Sequence, residues 1–218
     1  MSDVIIFGDR DISELAHYYL NCDSPYKPVA FTLEKKYITK DIFCNLPVLP
    51  FEDIEKEFSP TNYKFFAPIY ASEMNQLKER IANEIKAKGY QFISYISSKA
   101  HTWNAEIGEN AFIMQGNNIE PFCKIGKNLV MWSSSHIGHH SVVGDNVFIS
   151  TNVVVCGHNQ IGNNCFLGTN CTTKDGLSIS PYTFIGQDTS VIKDIKEEGG
   201  LWWGCPAKRI KSSFDAKL

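Results

Sequence analysis

A small α/β unit followed by a solenoid of triangular β-coils is the fold this sequence predicts, on three observations. Residues 3 to about 96 alternate short apolar runs with amphipathic ones, as β-α-β units do. From about residue 104 a large aliphatic returns at every sixth position as far as Val191, filling fourteen of fifteen slots with Thr173 the exception. A period of six drifts around a 3.6-residue helix, so these residues share no helical face. It suits a chain that turns a corner every six residues and points the aliphatic inward.

Val4–Gly8 (VIIFG) reads as a short buried strand, and Ile12, Leu15, Ala16 and Tyr19 then recur at helical spacing. Pro28–Leu33 reads as a second strand and Tyr63–Tyr70 as a later one. Ser72 is placed to cap a polar helix over about Glu73 to Lys88, which Gly89 would end before a last strand, QFISYI. In parallel sheets of this kind ligands bind at the carboxyl ends of the strands, which here means the turn Gly8, Asp9, Arg10, Asp11. That turn lacks the GxGxxG dinucleotide fingerprint, and an ordinary tight turn is the competing reading.

In the second half Gly often follows the inward aliphatic, as at Gly138, Gly144 and Gly162, and small side chains such as Ser135, Ser141 and Cys165 recur four residues past it. Three six-residue sides close a coil of 18 residues, so the fifteen hexads make about five stacked coils. The expected division is 1–98 for the α/β unit and 99–218 for the coils with a C-terminal cap.

Composition narrows the function. The net charge of −3 with dispersed basic residues gives no footprint for nucleic acid or anionic lipid. No apolar run approaches the roughly 20 residues of a membrane span, and MSDVIIFGD does not read as a signal peptide. Seven cysteines without a CxxC pair point to free thiols in a reducing cytoplasm.

The segment SSSHIGHHSVVGD carries three of the six histidines within five residues. His139 lies two residues past inward Ile137, at a corner of the coil. Gly157 follows one coil later and should stack on it, and His140 and His158 should stack likewise.

The α/β unit, the hexads, this segment and the ending GCPAKRI (Gly204–Ile210) together resemble the hexapeptide-repeat sugar acyltransferases of the NeuD/PglD type, among them nucleotide-amino-sugar N-acetyltransferases. The resemblance implies a left-handed parallel β-helix, a homotrimer with active sites between neighbouring helices, and acetyl-CoA as co-substrate. It implies His139 as general base, with imidazole suited to take a proton from an attacking amine. It implies the Gly157 N–H as oxyanion donor. The family carboxylate beside the base is replaced by His140, a candidate helper. For the acyl-CoA the resemblance marks Thr169, Gln187 and neighbouring Gly186, with Phe148 where some members place a histidine, and Lys208 as a phosphate partner. Trp202 and Trp203 either face the cofactor or cap the open coil. For the nucleotide-linked amino sugar, such as a 4-amino-4,6-dideoxy sugar bound for a bacterial surface glycan, the matching positions are Arg10, Asp11, Ile12, Leu33, Glu34 and Tyr70.

Trimeric zinc carbonic anhydrases share the β-helix, and the resemblance to them would require a pair of histidines five residues apart. No pair here has that spacing, so no metal is expected. Two rival functions remain: O-acetylation of a sugar such as sialic acid, and a non-catalytic trimeric scaffold.

Overall fold

The computed structural model describes residues 2–216. Strand β1 (Ser2–Phe7), helix α1 (Asp11–Cys22) and β2 (Tyr26–Leu33) open the chain, followed by β3 (Ile42–Phe43), β4 (Leu46–Pro50), β5 (Lys64–Phe66) and α2 (Gln76–Ala87). The five strands form one sheet in the order β3-β4-β2-β1-β5, parallel except for the β3–β4 hairpin.

Two expected elements are shorter than the sequence suggested, and both lose residues to the coils. The run Tyr63–Tyr70 is strand only to Phe66, because the Ala67 backbone turns from the sheet to the side chain of Asn110. Its N–H donates to Asn110 Oδ1 at 2.9 Å and its carbonyl accepts from Asn110 Nδ2 at 3.3 Å. Helix α2 starts at Gln76, and Ser72 provides no side-chain cap. Glu73, Met74 and Asn75 instead have φ of 52°, 50° and 65°. The Asn75 amide pins this left-handed run by donating to the carbonyls of Asn164 and Cys165. Such backbone is costly for ordinary residues and persists where neighbours hold it.

The segment QFISYI is divided between the two halves. Phe92 bridges to Phe65 of the sheet, while Tyr95–Ile96 pairs with Phe112–Ile113 as the first strand of the coils. Fifteen two-residue strands follow from Glu106–Ile107 to Ser190–Val191, each ending on the six-residue slot. They stack in parallel into three sheets with an 18-residue register, giving a left-handed β-helix. Thr173, the polar slot, is buried with its hydroxyl accepting the Cys156 N–H. The turns are equally regular. Asn128, His140, Asn146, Asn152, His158 and Asn164 all have φ near +60°, the left-handed region that Asn tolerates better than most side chains.

In each two-residue strand the slot residue enters the coil core and its predecessor points out. On the first face the outward residues are Phe112, Val130, Phe148, Phe166 and Phe184, all buried in one core with the α/β unit. The second face, through His136–Ile137 and Val154–Val155, and the third, through Val142–Val143 and Gln160–Ile161, carry more polar outward residues. Strand Gly200–Trp203 extends the first face and folds back through Lys208–Ser212. Trp202 packs against the coil core, and Trp203 lies over Gly186, where a Cβ would come within 2.5 Å of the indole. Among the described residues no helix is long and apolar enough to cross a membrane.

Lys78 on α2 is buried between the two halves. Its Nζ lies 3.5 Å from the Val147 carbonyl and 5.6 Å from the centre of the Phe148 ring. Burial pushes its pKa down to about 7. A folded-state value below the unfolded one means the unfolded chain holds more protons between about pH 7 and 10, so this group makes stability rise with pH there. Buried Cys165 and Cys171, pushed up to about 12, act the opposite way above about pH 9, as do Tyr90 and Tyr95 above about pH 10, so the Lys78 contribution is read as the difference between native protein and variant. Lys78→Met is expected to flatten the rise and to stabilise the chain near neutral pH by about 2 kcal/mol. Urea midpoints measured from pH 7 to 10 check this, and an unchanged slope in the variant would show that Lys78 is not its source.

Candidate active site

His139 occupies the corner between the second and third faces, after the strand His136–Ile137. Its ring is exposed, and one edge lies over Gly157. A Cβ added to Gly157 would stand 3.0 Å from His139 Cε1 and 3.1 Å from Nε2, so any larger residue would push the imidazole aside by a few tenths of an ångström. The other edge faces His140, with Nδ1 to Nδ1 at 3.1 Å. The His139 backbone is tied down from the previous coil, its N–H donating to Glu120 Oε2 at 2.8 Å. The second oxygen of Glu120 stands 3.7 Å from His136 Nε2.

The Nδ1 pair couples the tautomers of the two rings. One of the two rings must donate and the other accept. When His139 donates from Nδ1, its Nε2 lone pair is free and points toward Gly157. A His140 Nδ1 lone pair can accept that hydrogen bond, as a carboxylate oxygen can. His140 is held in place by its own neighbours, stacked on His158 at 4.9 Å with 16° between planes and lying 4.7 Å from Phe122.

The Gly157 N–H is not open, as its glycine identity suggested. It donates to Asp175 Oδ1 at 3.0 Å. This follows from the coil's own repeat: the N–H groups of Lys127 and Asp145 are taken in the same way by Asp145 and Asn163, 18 residues on.

The coils also bring together histidines that chain spacing keeps apart. His139, His140 and His158 each place a ring nitrogen within 4.8 Å of the others. Spacing along the chain hid this, because the 18-residue coil carries His158 back over the pair.

Thr169 and Gln187 lie exposed on a different corner, between the first and second faces, where Thr169 Oγ1 meets Ser150 Oγ at 2.7 Å. Gly186 is buried beneath Trp203. Lys208 lines a cavity of about 360 Å³ at the C-terminal end together with Val191, Trp202 and Pro206. The buried Trp202 Nε1–H finds no partner among the described residues. Phe148 belongs to none of these places. It is 1% exposed, stacked on Phe166 at 5.2 Å and covered by Tyr70 at 4.8 Å. Its outward position falls on the face that the α/β unit covers, so it is a packing residue and cannot line an acyl-CoA groove.

A second cavity, of about 350 Å³, opens at the carboxyl ends of β1 and β2. Gly8, Asp9, Arg10, Ile12, Leu33, Glu34 and Tyr70 line it as the sequence led one to expect. Asp11 does not; it opens α1, where an acidic side chain suits the helix N-terminus. Gly8 has φ of +102°, and a Cβ there would meet Ser13 Oγ at 2.6 Å. Asp9 is buried, 3.5 Å from Lys40 Nζ.

The wall also holds residues that sequence reading missed, chiefly Arg80, Tyr37 and Ser13. Arg80 grips Glu34 through both guanidinium nitrogens at 3.2 and 3.4 Å, and Lys36 stands 3.5 Å from the same carboxylate. Burial alone would raise the Glu34 pKa, but Arg80 and Lys36 outweigh it and hold it below its ordinary value. Only the three-dimensional return of α2 over β2 could have paired residues 46 apart.

The sequence matches no family profile and no curated relative. Solved structures do match nearly its whole length. The acetyltransferase domain of PglB from Neisseria gonorrhoeae is 18% identical with a TM-score of 0.85, over 96% of this chain and 100% of that one. A perosamine N-acetyltransferase from Caulobacter crescentus, a histidine-to-asparagine mutant bound to CoA and GDP-perosamine, is 18% identical with a TM-score of 0.86, over 97% and 98%. WeeI from Acinetobacter baumannii is 17% identical with a TM-score of 0.65, over 96% and 100%. At these identities the likeness is one of fold: an α/β unit carried on a left-handed β-helix.

Proposed function

We propose that this chain is an acetyl-CoA-dependent N-acetyltransferase acting on a nucleotide-linked amino sugar. The single observation that carries the reading is the His139 ring edge lying against Gly157. The fold shared with an N-acetyltransferase that binds CoA and GDP-perosamine supports it. In this reading residues 1–98 hold the nucleotide sugar and residues 99–218 carry out the transfer.

The amine attacks the acetyl carbonyl carbon and passes a proton to His139 Nε2, while charge grows on the carbonyl oxygen. For the Gly157 N–H to meet that oxygen, Asp175 must give it up. Collapse breaks the carbon–sulfur bond, and the imidazolium returns its proton to the thiolate. No covalent enzyme intermediate is required. The C-terminal cavity fits the acyl-CoA in kind: Lys208 is a cation suited to a phosphate, and the unpartnered Trp202 N–H is a donor awaiting an acceptor.

Topology supports a site shared between copies. A triangular prism sets each corner opposite one face, and the corner of His139 is opposite the face that the α/β unit covers. Thr169 and Gln187 stand on another corner again. One chain therefore does not bring the base, the acyl-CoA positions and the sugar-nucleotide cavity together, and the reading calls for a homotrimer in which neighbouring copies supply them. The reading places the reaction in the cytoplasm, where seven free thiols persist.

The deciding experiment supplies acetyl-CoA with UDP-, dTDP- or GDP-linked 4-amino-4,6-dideoxy sugars and follows thiol release, with hydroxy sugars in parallel. Turnover on the amino sugar is expected, and turnover only on the hydroxy sugar would replace the reading by O-acetylation. The Asp175 carboxylate on the Gly157 N–H is the one observation that favours a non-catalytic scaffold, and complete inactivity on every acceptor would establish that alternative.

Arg80 gives a second expectation. A charged hydrogen-bond donor in the nucleotide cavity is worth about 1.5–3 kcal/mol. Arg80→Ala should raise the KM for the nucleotide sugar by roughly tenfold or more and leave kcat nearly intact, as loss of uniform binding does. An unchanged KM would remove Arg80 from the binding wall.

A further inference from the structure

We propose that His139, His140 and His158 form a binding site for a divalent transition ion of the zinc type, and that the bound ion switches the acyl-transfer site off. The second clause rests on His139 being the base; the first does not. The three rings converge from two successive coils, with ligand nitrogens all within 4.8 Å.

Zinc bound tetrahedrally by imidazoles has nitrogens about 2.0–2.1 Å from the metal, hence about 3.3 Å from each other. The His139 and His140 Nδ1 atoms already stand at 3.1 Å. His158 completes the set from the next coil, its ring 5.0 Å from that of His139 and nearly perpendicular to it, and 4.9 Å from that of His140. All three side chains are exposed, so the His158 ring, stacked on His140 with 16° between planes, can swing out of the stack and turn its nitrogen toward the ion without disturbing a core. The backbone beneath is fixed, the His158 N–H donating to the His139 carbonyl at 2.9 Å. Three neutral imidazoles with a fourth position open to water suit zinc, nickel or cupric ions and are poor ligands for calcium or magnesium.

The inhibitory sign follows from proton accounting. A neutral imidazole has one lone pair and one N–H on its two nitrogens. An ion that takes the Nδ1 lone pair of His139 leaves the proton on Nε2, the edge over Gly157. Such a ring can donate there and cannot accept, so the base becomes inert without any movement of its carbon atoms.

The test variant is His158→Asn. Residue 158 has φ of +59°, a conformation that Asn already holds at 152, 164 and 170, so the turn is retained. His158 stacks on His140, so the metal-free turnover of each protein serves as its own reference. Metal-free protein, full length, is titrated with Zn2+ by calorimetry alongside the variant, which carries the same exposed thiols Cys22 and Cys205 as background. One saturable equivalent per chain is expected in the native protein. Loss of even an outer-shell partner of a metal site costs about 10–100-fold in affinity, so loss of the His158 ligand should weaken binding at least about tenfold. Turnover of the native protein should fall as that site fills and return with EDTA, with the variant correspondingly resistant. Identical titrations for the two proteins, or no saturable binding, would overturn the site. Normal binding that leaves turnover untouched would keep the site and remove His139 as the base.

Discussion

His139→Ala is expected to lower kcat for acetyl transfer by about 10²–10⁴-fold, the range typical for loss of a positioned acid–base group. The KM for the nucleotide sugar should move little, because the ring does not line the cavity at the ends of β1 and β2. Stability should also be nearly unchanged. The side chain is exposed, and the backbone N–H that Glu120 holds is retained in alanine. A companion variant separates the base from its orienting partner. His140→Asn keeps the left-handed turn at φ of +59° and offers a side-chain oxygen that can accept from His139 Nδ1. His140→Ala, with no acceptor, should therefore be slower than His140→Asn. Values of kcat for the three proteins, compared at one pH, measure this. Full turnover in His139→Ala would sink the general-base assignment.

The hexads made the solenoid legible because each inward slot is a large aliphatic and the repeat runs without insertion. What stayed hidden operates on the longer period of 18. Phe112, Phe148, Phe166 and Phe184, with Val130 among them, precede their slots on one face only, and that face is the one the α/β unit covers. Read as hexads they look like scattered aromatics; read by coils they form a column that marks the interface. Phe148 was assigned to the acyl-CoA for want of that reading. The same period hides the histidine triad, since spacing along the chain says nothing of the coil above.

The opening coil was missed for a different reason. Tyr95 pairs with Phe112 and His101 bridges Asn118, both 17 residues apart, so the first turn is one residue short and out of step with the slots. In the α/β unit the Gly8 turn and the cavity beside it follow from strand and helix patterns. Arg80 does not, because a salt bridge across two elements leaves no local signature. Likewise the seal on the Gly157 N–H comes from Asp175 one coil away, and glycine identity alone suggested an open donor.

Phe112→Ala is expected to cost about 3–5 kcal/mol and to split one unfolding transition into two. The ring is fully buried and packs edge-on against Phe66 at 5.4 Å, Tyr95 at 5.7 Å and Tyr19 at 6.2 Å. It thus joins β5, the first coil strand and α1 at a single point. The links nearby are polar: Tyr19 Oη donates to Gln115, and Asp23 accepts from Tyr95 Oη, Ser97 Oγ and the Ser98 N–H, contacts that hold position and add little once the aromatic core is lost. The inward face of the coil would be largely spared, because Ile113 and its stack belong to a separate core. The chain carries its own reporters for the two halves. All four tryptophans, Trp103, Trp132, Trp202 and Trp203, lie in the coils, whereas α1 and α2 are its only α-helices among the described residues. Tryptophan fluorescence therefore follows the β-helix, and far-UV circular dichroism at the helical band follows the α/β unit. In the native protein the two signals should coincide through urea unfolding, since one core spans both parts. In Phe112→Ala the helical signal should be lost first while fluorescence persists to a higher midpoint. Coincident curves in the variant would mean that the remaining face, from Val130 to Phe184, couples the halves without it.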